Sequence, residues 1–261
     1  MKEPLVISFS GGQTSAYMTY LLTHTHLYDN YEKYVVFANT GCEHDGTLDF
    51  VNECDKLWGL NVIWLEAKVN PEKGKGTRHK IVDYQSASRD GEPYLDVSRK
   101  YGVPNVARPS CTRELKQAPI ASRCRETFGK AFVKTAIGIR ADEERRYNLK
   151  NAEARNLIYP LLHDIPTDKE DVDLFFETAP IRLDLPNYLG NCVWCFKKSF
   201  KKIGLAHIEC PEYFEVQRKV QEIEPNYPMY RGSRRLIDVL NIADVVEWDF
   251  YDPCNESCEL F

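Results

Sequence analysis

Residues Leu5 to Met18 read L-V-I-S-F-S-G-G-Q-T-S-A-Y-M. An apolar run, Leu5 to Phe9, stops at Ser10-Gly11-Gly12. From Thr14 to Thr23 the apolar residues Ala16, Tyr17, Tyr20 and Leu21 then recur at helical spacing. A strand that becomes a helix within a few residues needs backbone free to take positive φ, which glycine supplies. Such a corner presents the helix's first N–H groups and the positive end of its dipole. Ser10, Gln13, Thr14 and Ser15 surround it with polar side chains. These features predict an anion cradle; the plainer reading is a glycine turn capped by Ser10. No lysine follows the glycines, so this is not a Walker-type loop, and the spacing is not G-x-G-x-x-G.

Outward from the corner, Lys33 to Ala38 reads as a second strand ending at Asn39-Thr40-Gly41. Thr47 to Trp58 reads as a helix and Asn61 to Glu66 as a third strand. Ala131 to Gly138 and Asn156 to Leu162 read as a fourth and fifth. Alternating strands and helices predict an α/β fold, a doubly wound, mostly parallel sheet of five strands. Between 70 and 109 the periodicity fades. This stretch is expected to be an excursion over the carboxyl ends of the strands, with a short helix near Tyr94–Lys100. Further helices are expected over Gln117–Phe128, from a Thr167-Asp168 cap through Phe176, and from Pro211 to about Ile223. The chain reads as irregular between Pro180 and Pro211. After Arg231 a helix precedes a tail rich in acid and cysteine. The predicted division is an α/β region over 1–180 and a helical, cysteine-rich region over 181–261.

The 261 residues suffice for one large α/β domain with a smaller appendage. A net charge of −5 gives no global basic field for nucleic acid. Lys197-Lys198, Lys201-Lys202, Arg231 and Arg234-Arg235 read as solvated faces. No apolar run approaches the ~20 residues a membrane helix needs, and the first residues lack a signal-peptide layout. The expected location is the cytoplasm, where thiols stay reduced, so the nine cysteines are candidates for metal or redox chemistry. Cys192-Val193-Trp194-Cys195 is a C-x-x-C, which alone is open to zinc, iron–sulfur or dithiol chemistry. Cys42, Cys54 and Cys124 read as core cysteines by default.

The corner resembles the S-G-G-x-x-S loop of the PP-loop nucleotide α-hydrolase superfamily. Three more stretches resemble its PAPS/APS reductase-like branch: Phe37-Ala38-Asn39-Thr40-Gly41 followed by Thr47-Leu48, Gly138 to Arg145, and Tyr159 to Leu162. The second of these is similar to the family's G-x-R-x-x-x-S-x-R segment. The likeness implies that Ser10, Gly11, Gly12, Gln13, Thr14, Ser15, Asn39, Thr40, Gly41 and Gly138 bind ATP or an adenylyl sulfate nucleotide. Mg²⁺ is expected to bridge the phosphates. Arg140 and Arg145 would grip phosphate or sulfate oxygens.

Cys111 lies 81 residues before Cys192. Assimilatory APS reductases look similar, with a Cys-Cys pair, a comparable gap and a C-x-x-C around a 4Fe-4S cluster. Here Ser110 replaces the first of the pair. The resemblance therefore implies three ligands, Cys111, Cys192 and Cys195. Either a fourth comes from Cys254, Cys258 or Cys210, or one iron is open to an outside sulfur; zinc is the alternative metal. Cys258-Glu259-Leu260-Phe261 resembles the reductases' terminal E-C-G-L-H, whose cysteine attacks a sulfonyl sulfur. It lacks the preceding glutamate, the glycine and the histidine.

The resemblance implies an iron–sulfur enzyme of ATP-dependent sulfur transfer, working with a sulfur or electron donor protein on a small-molecule or nucleic-acid acceptor. Reduction of APS or PAPS to sulfite is the alternative, and a zinc-bearing nucleotide-binding protein is the third.

Overall fold

The computed structural model describes residues 2–245. Six strands form one sheet in the order β4-β3-β2-β1-β5-β6. They are β1 (Glu3–Ser8), β2 (Tyr31–Asn39), β3 (Ile63–Lys68), β4 (Arg78–Val82), β5 (Lys134–Ala136) and β6 (Leu157–Ile158). Every neighbouring pair is parallel except β3 with β4. The expected doubly wound sheet is present with one strand more than the five predicted. The added β4 lies inside the 70–109 stretch.

The central stretches Leu5–Ile7 of β1 and Tyr34–Ala38 of β2 are apolar without a break because both faces are covered. Leu5, Ile7, Val35 and Phe37 face α1 (Gln13–His24) and α2 (Asp45–Trp58) in one core. Val6, Val36 and Ala38 pack with Ile120 and Cys124 on the other side. The alternation is the period-2 signature of a strand. Helix α3 (Glu92–Tyr101) coincides with the short helix expected near Tyr94. A π-helical turn, Thr112–Gln117, leads into α4 (Ala118–Phe128).

Beyond α4 the elements are short. The predicted strand Ala131–Gly138 keeps three residues, Lys134–Ala136. A 3-10 turn, Ala141–Arg146, and α5 (Leu149–Arg155) follow. The predicted strand Asn156–Leu162 keeps two residues before α6 (Pro160–His163), because Pro160 lacks the N–H a ladder requires. Helix α7 (Lys169–Thr178) starts at the expected cap: Asp168 accepts from the Asp171 N–H, and Asp171 accepts in return. The segment read as irregular contains α8 (Phe200–Glu209). Helices α9 (Phe214–Ile223) and α10 (Leu236–Val245) complete the described chain.

Two cations of the supposed solvated faces are buried. Lys198 donates to the Tyr188 and Val193 carbonyls at 2.6 and 2.9 Å, and Lys202 is 4% exposed on α8. A third core joins α3, α8, α9 and α10 to Cys42, Trp194 and the C-x-x-C. It lies at the end of the sheet where β2 delivers Asn39, the carboxyl edge where open parallel sheets bind ligands.

Candidate functional site

The corner between β1 and α1 is a closed knot with one open side. Gly11 has φ +84°, and a Cβ there would stand 2.6 Å from the Thr47 methyl carbon. Glycine is thus required twice, by conformation and by packing. A Cβ on Gly12 would meet nothing within 4 Å, so its Cα faces open space. The Ser15 hydroxyl ties the knot from inside. It donates to the Gly12 carbonyl at 2.8 Å and accepts from the Ser10 amide and hydroxyl at 3.1 and 2.9 Å. No side chain caps α1, which leaves its first N–H groups to face whatever enters the corner. Gln13 and Thr14 are half-buried beside them.

The chain leaving β5 presses on this knot. A Cβ on Gly138 would lie 3.2 Å from the Ser15 Cα. Two residues on, the Arg140 Nη1 donates to the Thr14 Oγ1 at 2.9 Å. The rest of that guanidinium forks onto Asp142 at 2.8 and 2.9 Å. These hydrogen bonds hold the Asp142 carboxyl below its ordinary value. The two predicted arginines part company here. Arg140 reaches the corner, whereas Arg145 is exposed on the 3-10 turn. Arg146 is the half-buried one; it pairs with Glu143 at 2.8 Å, and its Nε is buried without a partner. Counting would have found it: the ninth place of G-x-R-x-x-x-S-x-R, starting at Gly138, is Arg146.

Asn39, Thr40 and Gly41 leave β2 beside the corner but spend their polar groups within the protein. The Asn39 amide donates to the buried Glu66 at 2.8 Å and to the Ser88 carbonyl at 2.9 Å. This pins the stretch after β4 over the loop. Thr40 donates through its amide and its hydroxyl to the buried Glu43 carboxylate at 3.0 and 2.7 Å. The Thr40 hydroxyl also lies 3.3 Å from the Cys192 sulfur. Glu43 and Cys192 form an antiparallel bridge, and the Val193 amide donates to the Cys42 carbonyl at 3.0 Å. The loop after β2 is thus stitched to the C-x-x-C.

Around that stitch the thiols converge. Cys111, Cys192 and Cys195 line one small cavity together with Thr40, Tyr94 and Lys116. Cys111 immediately precedes the π-helical turn, a local geometry frequent at functional sites. The buried Tyr94 phenol is pushed well above its ordinary range, first by burial and then by Cys111, Cys192, Cys42 and Cys195. Cys42, 2% exposed, packs in the same core, as expected of a core cysteine. Cys54 and Cys124 do pack in the two sheet cores. Burial raises the Cys54 thiol and takes Cys124 to about 11, as in inert structural thiols. Cys210 ends α8 with its sulfur 3.9 Å from the His44 Nε2. Cys254 and Cys258 lie outside the described residues.

Among the described residues, no three Cys, His, Asp or Glu are gathered as the ligands of a single metal ion. Tetrahedral zinc would need sulfurs about 3.8 Å apart. The all-thiol donor set of Cys111, Cys192 and Cys195 is of a kind that suits iron as well as zinc. Ser110, beside Cys111, is also buried with an unpartnered hydroxyl.

The sequence profile of the phosphoadenosine phosphosulfate reductase domain matches residues 4–166, more than half of the chain. The chain belongs to this family. An uncharacterized nin region protein, ORF290, of Escherichia phage lambda is 34% identical over 98% of this chain and 94% of its own length. Uncharacterized protein MJ0066 of Methanocaldococcus jannaschii is 26% identical over 60% of this chain and 27% of its own. A solved structure, the U34-tRNA thiolase NcsA of Methanococcus maripaludis with its 4Fe-4S cluster, is 14% identical at a TM-score of 0.44. That alignment covers 99% of this chain and 80% of that one. The reductase-domain match contains the corner, the loop after β2, Cys111 and Arg140, and ends before Cys192 and Cys195. No described helix is long and apolar enough to cross a membrane.

Proposed function

We propose that this chain binds ATP or an adenylyl nucleotide at Ser10–Ser15 and performs ATP-dependent sulfur transfer beside an iron–sulfur cluster seated among Cys111, Cys192 and Cys195. One observation carries the reading: the loop Asn39–Glu43 runs from the phosphate corner to the C-x-x-C and is bonded to it through Glu43, Thr40 and Cys42.

The open side at Gly12 and the first N–H groups of α1 receive the anionic end of the nucleotide. Arg140, steadied by Asp142 and Thr14, stands ready to trade part of its fork for phosphate oxygens. Mg²⁺ would bridge those phosphates. An oxygen of the acceptor attacks the α-phosphorus, the bond to the β-phosphate breaks, and pyrophosphate leaves. The outer sulfur of a donor protein's persulfide then attacks the acceptor and displaces AMP, and a second thiol of the donor breaks the remaining S–S bond, leaving a disulfide on the donor and the sulfur on the acceptor. The cluster, when bound, supplies electron-transfer or sulfur-handling chemistry next to the adenylate.

Reduction of adenylyl sulfate is the second reading, favoured by the family match and the three converging cysteines. In it a thiol such as Cys258 takes the sulfonyl group, AMP leaves, and two electrons from a thiol donor release sulfite.

Anaerobic purification followed by iron and sulfide analysis, then incubation with ATP and candidate acceptors, tests the first reading. The expected result is bound iron with release of pyrophosphate and AMP. Sulfite from adenylyl sulfate and a reduced thiol donor would replace it with the second. Protein that takes up no iron would remove both.

A further inference from the structure

We propose that the hairpin between β3 and β4 is a docking surface for a nucleic-acid strand, which it holds by the phosphates beside the thiol cavity. The inference rests on the sulfur-transfer reading above and gives the acceptor its class.

The charge is local. From Lys68 to Lys80 the chain carries five cations, Lys68, Lys73, Lys75, Arg78 and Lys80, against one acid, Glu72, although its net charge is −5. All five are exposed. Lys80 reaches back to the buried Glu66 at 3.6 Å. Lys68, Lys73, Lys75 and Arg78 form no ion pair among the described residues. Like charges held on one short hairpin repel one another, and an outside polyanion relieves that repulsion.

The hairpin is fixed against the part of the molecule that bears Cys111. Lys100 of α3 donates to the Asn70 and Lys75 carbonyls and so clamps both sides of the turn. Thr77 donates to the buried Glu114, which sits in the π-helical turn that follows Cys111. Val69 packs on the thiol core, as Cys111 does. Asn39 pairs with Glu66 in the parallel register, so β3 carries Lys68 just past the level where β2 ends. The cations therefore stand at the carboxyl edge of the sheet, where ligands of open parallel sheets bind.

What the surface lacks selects the partner. From Asn70 to Gly76 every residue is exposed, and none has a large apolar side chain. A protein partner needs an aromatic or aliphatic anchor at the centre of its footprint. A phosphate backbone needs none, because lysine and arginine displace its counterions whatever the bases are. Gly74 and Gly76 alternate with Lys73 and Lys75, so no side chain separates these ammonium groups from a strand lying across them.

Fluorescence anisotropy of the full chain with labelled RNA and DNA oligonucleotides, single- and double-stranded, over a series of salt concentrations tests this without iron or ATP. Wild-type affinity should fall linearly with salt on logarithmic axes. Lys73→Ala/Lys75→Ala/Arg78→Ala should weaken binding about tenfold at low salt and lower the slope by about 2, since each lost phosphate contact removes roughly 0.7 to 0.9. The tighter of the RNA and DNA arms names the strand. Lys56→Ala/Lys150→Ala/Arg182→Ala removes three exposed cations elsewhere and should leave affinity and slope nearly unchanged. Equal losses in the two variants would reduce the effect to overall charge and overturn the proposal, as would wild-type protein that binds no strand. Tighter binding of polyglutamate than of an oligonucleotide of equal charge would overturn it in favour of an acidic protein partner. Strand binding that depends on the hairpin, in protein that releases no pyrophosphate or AMP from ATP with that strand present, would uphold the docking surface and sink the sulfur-transfer reading alone.

Discussion

The glycine corner is six contiguous residues, Ser10 to Ser15, knotted by the hydroxyl of one of them. The thiol group draws Cys111, Cys192 and Cys195 from two distant stretches, tied to the loop after β2 by a β-bridge and a buried carboxylate. The first region is specified locally: each constraint falls on a neighbour in sequence, so a short motif suffices to write it. The second exists only after the sheet, α3 and the C-terminal helices have packed. A change inside the corner should therefore stay in the corner, whereas a change at the stitch should dismantle the thiol group from a distance.

The largest effect is expected at Glu43. Replacing it with alanine removes the acceptor for two amides and a hydroxyl in a place water does not reach. Each orphaned group costs roughly 1–3 kcal/mol, so a total near 3 kcal/mol is expected. Urea unfolding would register it, and iron uptake should fall although no cysteine has changed. Normal iron in Glu43→Ala would break the claim that the stitch holds the second region.

Gly11→Ala should cost somewhat less, about 2 kcal/mol, from the left-handed backbone and the crowding of the Thr47 methyl. Its signature is the reverse of the previous one. Adenine-nucleotide binding, measured by calorimetry, should weaken strongly while iron content holds. Equal loss of both would mean that the two regions are one cooperative unit.

This contrast also accounts for what the sequence reveals. The corner, β1, β2, α2 and the cap at Asp168 are legible because apolar period, glycine and capping residues coincide within a few positions. β4 is not: its sequence R-H-K-I-V is half cationic, and Ile81 lies exposed on a strand at the sheet's edge. α8 is missed because Lys202 is buried and Gly204 interrupts the pattern, both settled by tertiary packing. Glu43 looks like any surface acid until its bridge to Cys192 is seen. Arg146 was within reach, since interval counting separates it from Arg145.

Asp168→Ala serves as a remote comparison. Losing the reciprocal cap of α7 should cost about 1 kcal/mol, visible as a lower Tm. Iron content should not change, since α7 packs in the sheet core, apart from the core that holds the thiols. A fall in iron would mean that any loss of stability mimics a site effect, and the Glu43 test would lose its meaning.

The smallest effect concerns pH at the corner. The fork from Arg140, the largest cause, holds the Asp142 carboxyl below its ordinary value, so the folded pKa is lower than the unfolded one. A depressed carboxyl contributes stability that is complete above the unfolded value, near pH 4. That stability disappears as pH falls through the folded value. Asp142 is 38% exposed, so solvent screens the pair and the contribution should stay below about 1 kcal/mol. Asp142→Asn should therefore lose that contribution, less than about 1 kcal/mol, at pH 7, and the difference between the two proteins should close as pH falls below 4. In the proposed reading bound nucleotide competes for the same guanidinium, so its presence should shrink the difference between the two proteins. If the difference persists at saturating nucleotide, Arg140 does not release Asp142 on binding. The corner would then hold its anion with the amides of α1 alone.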